Sequence, residues 1–116
     1  MTAHSVVFTQ QAARELEAIA EWWAEHRSIQ QAGRWYEGFS AKIEALCDDP
    51  NRLPLADESP DFPYELRELH FGLGSRPTHR AVYTIVSEFV VVLTIRHVAQ
   101  RPIGPEDVET TSKRPP

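Results

Sequence analysis

Arginine and histidine recur on three consecutive apolar segments in the C-terminal half of the chain. The six residues are Arg67, His70, His79, Arg80, Arg96 and His97. Arginine suits planar, two-pronged recognition of phosphate or carboxylate, and histidine titrates near neutral pH. The pattern therefore predicts a surface that recognises an anionic group. In the alternative interpretation the arginines face solvent and pair with Glu65 or Glu68, while the histidines are structural.

A metal site built from the three histidines His70, His79 and His97 is disfavoured. Their spacing contains neither an HxH nor an HExxH pattern, which are the local arrangements that bring imidazoles onto one ion. We expect neither a metal nor a cofactor.

The elements that carry these residues can be read from hydrophobic periodicity. Apolar residues at helical spacing predict one helix beginning at Gln10 and a second over about 29–47, joined by a short connection that makes them an antiparallel hairpin. Short apolar segments predict strands over 4–8, 64–71, 79–86 and 89–97. The order is β-α-α-β-β-β. It predicts an α+β fold in which the helix hairpin packs on one face of a largely antiparallel sheet.

The second face of that sheet is then expected to be open to a partner or substrate. Strict alternation places Arg80 with Val82 and Thr84 on the third strand. On the fourth strand, it places Arg96 with Val90 and Val92, and His97 on the opposite side. Trp22, next to the core-facing Trp23, is either a second core contact or an exposed anchor for a partner.

Length and charge restrict the class of protein. The 116 residues predict one domain over 1–101 and a polar tail over 102–116. A single cysteine, Cys47, and the lack of a signal peptide or a long apolar segment predict a cytoplasmic protein. The net charge is −5. This acidic balance disfavours a broadly basic nucleic-acid binder. Residues 64–101 nevertheless carry five arginines against three glutamates, which leaves room for a local basic face.

Three segments resemble the RelE/ParE superfamily of toxins from bacterial type II toxin–antitoxin systems. They are "YELRELHFG", "HRAVYTI" and "VVVLTIRHVAQRP", and the resemblance covers about residues 5–102. It implies a toxin that is held inactive by a cognate antitoxin. It also implies one of two activities: RelE-like members are metal-independent ribonucleases that cut messenger RNA on the ribosome, whereas ParE-like members bind and poison DNA gyrase.

In a RelE-like ribonuclease the resemblance would make Arg80, His97 and His70 the catalytic residues. The chain departs from that pattern, because Glu68 and His70 stand where such enzymes keep lysines and the C-terminal segment supplies no tyrosine. A ParE-like toxin that binds its target without hydrolysis is therefore favoured. The residues expected to contact a partner are Arg67, Arg80, Arg96, Arg101 and Trp22. A non-toxic binding domain of the same fold and homodimerisation both remain open.

Overall fold

The computed structural model describes residues 3–108 and confirms the predicted architecture. Strand β1 (Ser5–Phe8) is followed by helices α1 (Gln10–His26) and α2 (Ile29–Glu44). Strands β2 (Arg67–Phe71), β3 (His79–Val86) and β4 (Phe89–His97) follow. The four strands form one sheet in the order β1-β4-β3-β2, in which only the β1–β4 pair is parallel. Strand β2 begins three residues later than expected, because residue 64 lies in a bend and residues 65–66 are not paired as a strand.

Both helices begin at a hydroxyl side chain. Thr9 accepts a hydrogen bond from the backbone N–H of Ala12 at 3.0 Å, and Ser28 accepts one from that of Gln31 at 3.0 Å. Each cap satisfies an N–H group that the first helical turn leaves unpaired. The apolar stripes of the two helices then pack on one face of the sheet. The fully buried residues of this first core include Ala12, Trp35, Phe39, Ile43, Ala81, Tyr83, Val90 and Val92.

The second face of the sheet is covered, contrary to the expectation that it is open. The irregular segment between α2 and β2 and the segment after β4 both fold over it. Their side chains form a second core against Val82, Val91 and Leu93. The covering residues are Ala56, Phe62, Leu66, Ile103 and Val108. The first residues of the predicted polar tail thus pack against the sheet, while its remainder, 109–116, lies outside the described residues.

A β-bulge in β4 changes which side chains share a face. Tyr83 pairs with Val92 but the preceding residue, Val82, pairs with Thr94, so Leu93 is an extra residue in β4. Such an insertion interrupts the alternation of side chains. Val92 and Ile95 accordingly both lie in the first core. The prediction that Arg96 shares a face with Val90 and Val92 was therefore wrong.

Among residues 3–108, no helix is long and apolar enough to cross a membrane.

Candidate partner-binding surfaces

The structure separates the three residues that a ribonuclease would use. His70 and Arg80 are opposite each other in the β2–β3 pair and line one groove on the second face of the sheet. His97 is opposite His79 in the β3–β4 pair, with the ring centroids 5.1 Å apart. It lines a different groove beside α1. Arg80 and His97 therefore do not converge on one reacting group.

Arg80 is buried between two glutamates. Its Nη1 donates to Glu68 Oε1 at 2.8 Å and to Glu58 Oε1 at 3.1 Å, and its Nη2 donates to Glu58 Oε2. Such two-pronged, charge-assisted pairs are among the stronger hydrogen bonds in proteins. The pairing with Glu68 is the one that the alternative interpretation of the sequence named. It leaves Arg80 engaged inside the protein and not presented to solvent.

The same contacts shift the titration of both partners. The hydrogen bonds from Arg80 lower the pKa of Glu58 from 4.5 to about 2, even though burial acts in the opposite direction. The backbone N–H of Ile103, 3.2 Å from Glu58 Oε2, contributes to the lowering. Hydrogen bonding to Glu58 raises the pKa of Arg80 against the effect of burial. In its ionised form, Glu58 therefore links three parts of the chain. These are its own segment between α2 and β2, strand β3 through Arg80, and the segment after β4 through Ile103.

The groove around Arg80 is acidic, although the sequence predicted a basic face. Four carboxylates line its volume of about 430 Å³ against a single arginine. These carboxylates belong to Asp57, Glu58, Asp61 and Glu68. Phosphate binding requires an excess of positive charge at the site. The lining therefore disfavours a phosphodiester substrate.

Arg96 lies opposite Arg80 and is also buried, but no carboxylate of the described residues lies within ion-pair distance of it. Its Nη2 donates to the backbone carbonyl of Arg101 at 3.0 Å, and its Nε has no acceptor among the described residues. Burial, with repulsion from Arg101 as the next cause, lowers the pKa of Arg96. The side chain therefore holds the C-terminal segment in place and is not accessible to a partner.

The two remaining predicted arginines differ in exposure. Arg67 donates from Nη1 to the carbonyl of Leu53, and its Nη2 is 3.6 Å from Glu65 Oε1, so it also anchors the covering segment. Arg101 is paired with both carboxylate oxygens of Asp107, each at 2.9 Å, and its side chain is 66% exposed. The hydrogen bonds from Arg101 hold the pKa of Asp107 well below its usual range. Of the four arginines predicted to contact a partner, Arg101 is thus the one with a largely exposed side chain.

Trp22 is 46% exposed and belongs to the groove that His97 lines. The groove has a volume of about 480 Å³ between the C-terminal half of α1 and the ends of β3 and β4. Burial, followed by repulsion from His97, lowers the pKa of His79 from 6.5 to about 4, so its imidazole is neutral at pH 7.

Sequence reasoning missed two residues that organise these surfaces. Glu58 lies in a segment with no periodic pattern, and nothing in the sequence indicated that it pairs with a residue 22 positions later. Arg27, just after α1, lines the groove beside Trp22, with its guanidinium carbon 5.9 Å from the centre of the Trp22 ring. Its place at the C-terminus of an amphipathic helix, five residues after an aromatic side chain, was the available signal.

Comparison with known proteins agrees with this architecture. Residues 6–102 match the family model described as the ParE toxin of the type II toxin–antitoxin system parDE. Among solved structures, the chain is similar to one titled "Chromosomal ParDE TA system from P. aeruginosa", with a TM-score of 0.66 and 20% identity. That match covers 83% of this chain and 97% of the other. No curated protein sequence matches the chain.

Proposed function

Because this chain belongs to the ParE toxin family of type II toxin–antitoxin systems, we propose that it inhibits growth by binding an essential target such as DNA gyrase. A cognate antitoxin protein would neutralise it by covering its binding surface. The observation that carries the family is the match over residues 6–102, which includes both α-helices and all four strands except the first residue of β1. Action on gyrase would place the protein in the cytoplasm.

Binding without hydrolysis is supported by the state of Arg80. A ribonuclease must stabilise a phosphate that gains negative charge in the transition state, and it does so with cations aimed at that phosphate. Here the guanidinium of Arg80 is already paired with Glu58 and Glu68, and further carboxylates line the groove. Of the two histidines that the resemblance offers as catalytic residues, His70 lines this groove and His97 lines another, so the three expected catalytic residues are not assembled.

We assign the proposed partner contacts according to exposure. Trp22 and Arg101 are accessible and are the candidates for direct contact with target or antitoxin. Arg67, Arg80 and Arg96 would act indirectly, because they hold the two segments that form the outer surface of the second face.

The test is induction of the gene from a tightly repressed promoter, with DNA, RNA and protein synthesis followed by label incorporation in one culture. We expect DNA synthesis to fall first, and the purified protein to inhibit supercoiling by purified gyrase. The substitution His70→Ala should leave both effects intact, because we assign His70 no catalytic role.

An early fall in protein synthesis would overturn the proposal in favour of a ribosome-dependent ribonuclease, as would loss of toxicity in a correctly folded His70→Ala variant. If no synthesis falls and gyrase from several bacteria is unaffected, the chain is a non-toxic binding domain of the same fold.

A further inference from the structure

The groove beside α1 is lined by two tryptophans and several polar side chains. Although the chain is acidic, this lining contains no carboxylate. We call it the aromatic groove and define it by the residues that line it. They are Ala18, Ile19, Trp22, Trp23, Arg27, Thr78, His79 and His97. Its volume of about 480 Å³ falls in the range of sites that accept one or two large side chains or a small ligand.

Trp22 is held in place before any partner arrives. Its ring stacks on His26 at a centroid distance of 4.7 Å and an interplanar angle of 15°, and it meets Trp23 edge-on at 5.8 Å. Arg27 lies over the same ring. An exposed tryptophan that is already ordered loses little conformational entropy on binding, and tryptophan and arginine are the residues most enriched among those that dominate interface energies. Trp22 and Arg27 thus form a preorganised anchor.

Two polar groups of the aromatic groove, Arg27 and His97, can donate hydrogen bonds to a ligand. Arg27 has no carboxylate partner among the described residues, and the lining contains no carboxylate. His97 Nδ1 accepts a hydrogen bond from the backbone N–H of Ala99 at 3.0 Å. In a neutral imidazole the hydrogen is then on Nε2, which makes that atom a donor. A ligand that satisfies these groups must supply acceptors, and a carboxylate does so best.

We infer that the aromatic groove is a docking site for a segment of a partner protein that presents a large apolar side chain beside a carboxylate. The apolar side chain would pack against Trp22 and Ile19, and the carboxylate would bind Arg27, with His97 as a second donor. Nucleic acid fits less well, because the exposed carboxylates of Glu17, Glu21 and Glu25 on α1 repel a chain of phosphates more strongly than a single carboxylate. This inference does not depend on which target the protein acts on.

The experiment uses the full chain labelled with ¹⁵N and a synthetic peptide, acetyl-Ala-Leu-Glu-Leu-Glu-Ala-amide, as the probe. Two peptides of equal length serve as comparisons, one with both leucines replaced by serine and one with both glutamates replaced by lysine. We expect the first peptide to shift the indole N–H signal of Trp22 and the ring signals of His97, and the other two to bind at least about tenfold more weakly.

Two variants locate the binding, and each has a matched control. Trp22→Ala and Arg27→Glu should each weaken binding about tenfold. Tyr36→Ala and Arg34→Glu, which change an exposed aromatic and an exposed arginine on α2 outside the groove, should leave it unchanged. Arg27 is exposed and its substitution should not affect folding, which a circular dichroism melt checks.

Three results would overturn the inference. The first is the absence of any shift at Trp22 or His97 at millimolar peptide. The second is equal binding of the three peptides, or equal weakening by Arg34→Glu and Arg27→Glu. The third is a change in the Trp22 signal with protein concentration alone, together with dimer in sedimentation, since a second copy of the chain would then occupy the groove.

Discussion

Arg80 and Arg96 lie directly opposite each other on β3 and β4, and only Arg80 is neutralised by carboxylates. Like charges at opposed positions of an antiparallel pair repel each other. Glu58 and Glu68 offset that repulsion by pairing with Arg80, and the carbonyl of Arg101 gives Arg96 a neutral acceptor. This buried polar cluster therefore joins the sheet to both segments that cover its second face.

The first prediction concerns Glu58. Glu58→Gln removes one of the two carboxylates that compensate the buried charge of Arg80, so we expect the free energy of unfolding to fall by about 2–3 kcal/mol. The matched control is Glu65→Gln, which changes an exposed glutamate 3.6 Å from Arg67 and should alter the stability by less than about 0.5 kcal/mol. Urea unfolding followed by tryptophan fluorescence measures both. Equal stability of the two variants would mean that the Arg80–Glu58 pair is not a net stabilising contact.

The acid stability of the wild type should depend on the same residue. The pKa of Glu58 is lowered to about 2 in the folded protein from 4.5, so the unfolded chain binds a proton first as the pH falls. Its contribution to stability is present above pH 4.5 and is lost between about 4.5 and 2. In Glu58→Gln the pH dependence over this window should be shallower. Asp107 titrates in the same direction and remains in the variant, so some acid dependence should persist. Identical slopes in both proteins would contradict the prediction.

The helices and the β3–β4 hairpin could be predicted from the sequence because local signals agree there. Apolar residues at helical spacing follow Thr9 and precede a short connection, and two apolar segments flank the dipeptide Ser87-Glu88. Ser87 has a φ of 55°, as tight hairpin turns require. These features lie within a few residues of one another, so periodicity and turn chemistry sufficed to place them.

The second face could not be predicted because it depends on contacts between distant segments. The covering segments around Phe62 and Ile103 carry isolated apolar residues without a period, so nothing in the sequence indicated that they form a core. The bulge at Leu93 has no signal in the sequence, because the residues before it in β4 are all apolar. It places Arg96 on the face opposite to the one that strict alternation predicts. Arg67, Arg80 and Arg96 thus occupy the named strands, but their burial and their contacts with distant segments followed only from the tertiary structure.

A second pH dependence, which we attribute to His79, should appear between about pH 6.5 and 4. Its folded-state pKa of about 4 is below the ordinary 6.5, because burial disfavours the charged ring and His97 repels it. Between these values the unfolded chain binds more protons, so stability should decrease as the pH falls from about 6.5 to 4. In His79→Gln the decrease over this window should be smaller, whatever the effect on stability at pH 8. Chemical unfolding at half-unit pH steps measures it. An unchanged slope would mean that His79 titrates normally.

The last prediction tests whether the segment after β4 is part of the domain core, beyond the predicted boundary at residue 101. Ile103 is 3% exposed and packs in the second core, and its N–H binds Glu58. Ile103→Ala removes buried carbon atoms and leaves a cavity, so the free energy of unfolding should fall by about 2–4 kcal/mol. Val98→Ala, at a 39% exposed position in the preceding turn, should change it by less than about 0.5 kcal/mol. Hydrogen exchange gives a local measurement. If the segment after β4 loosens, the amides around Glu58, in the segment between α2 and β2, should also exchange faster. A neutral Ile103→Ala with unchanged exchange would show that the segment contributes no stability, and the arginines beneath it would then be accessible to a partner.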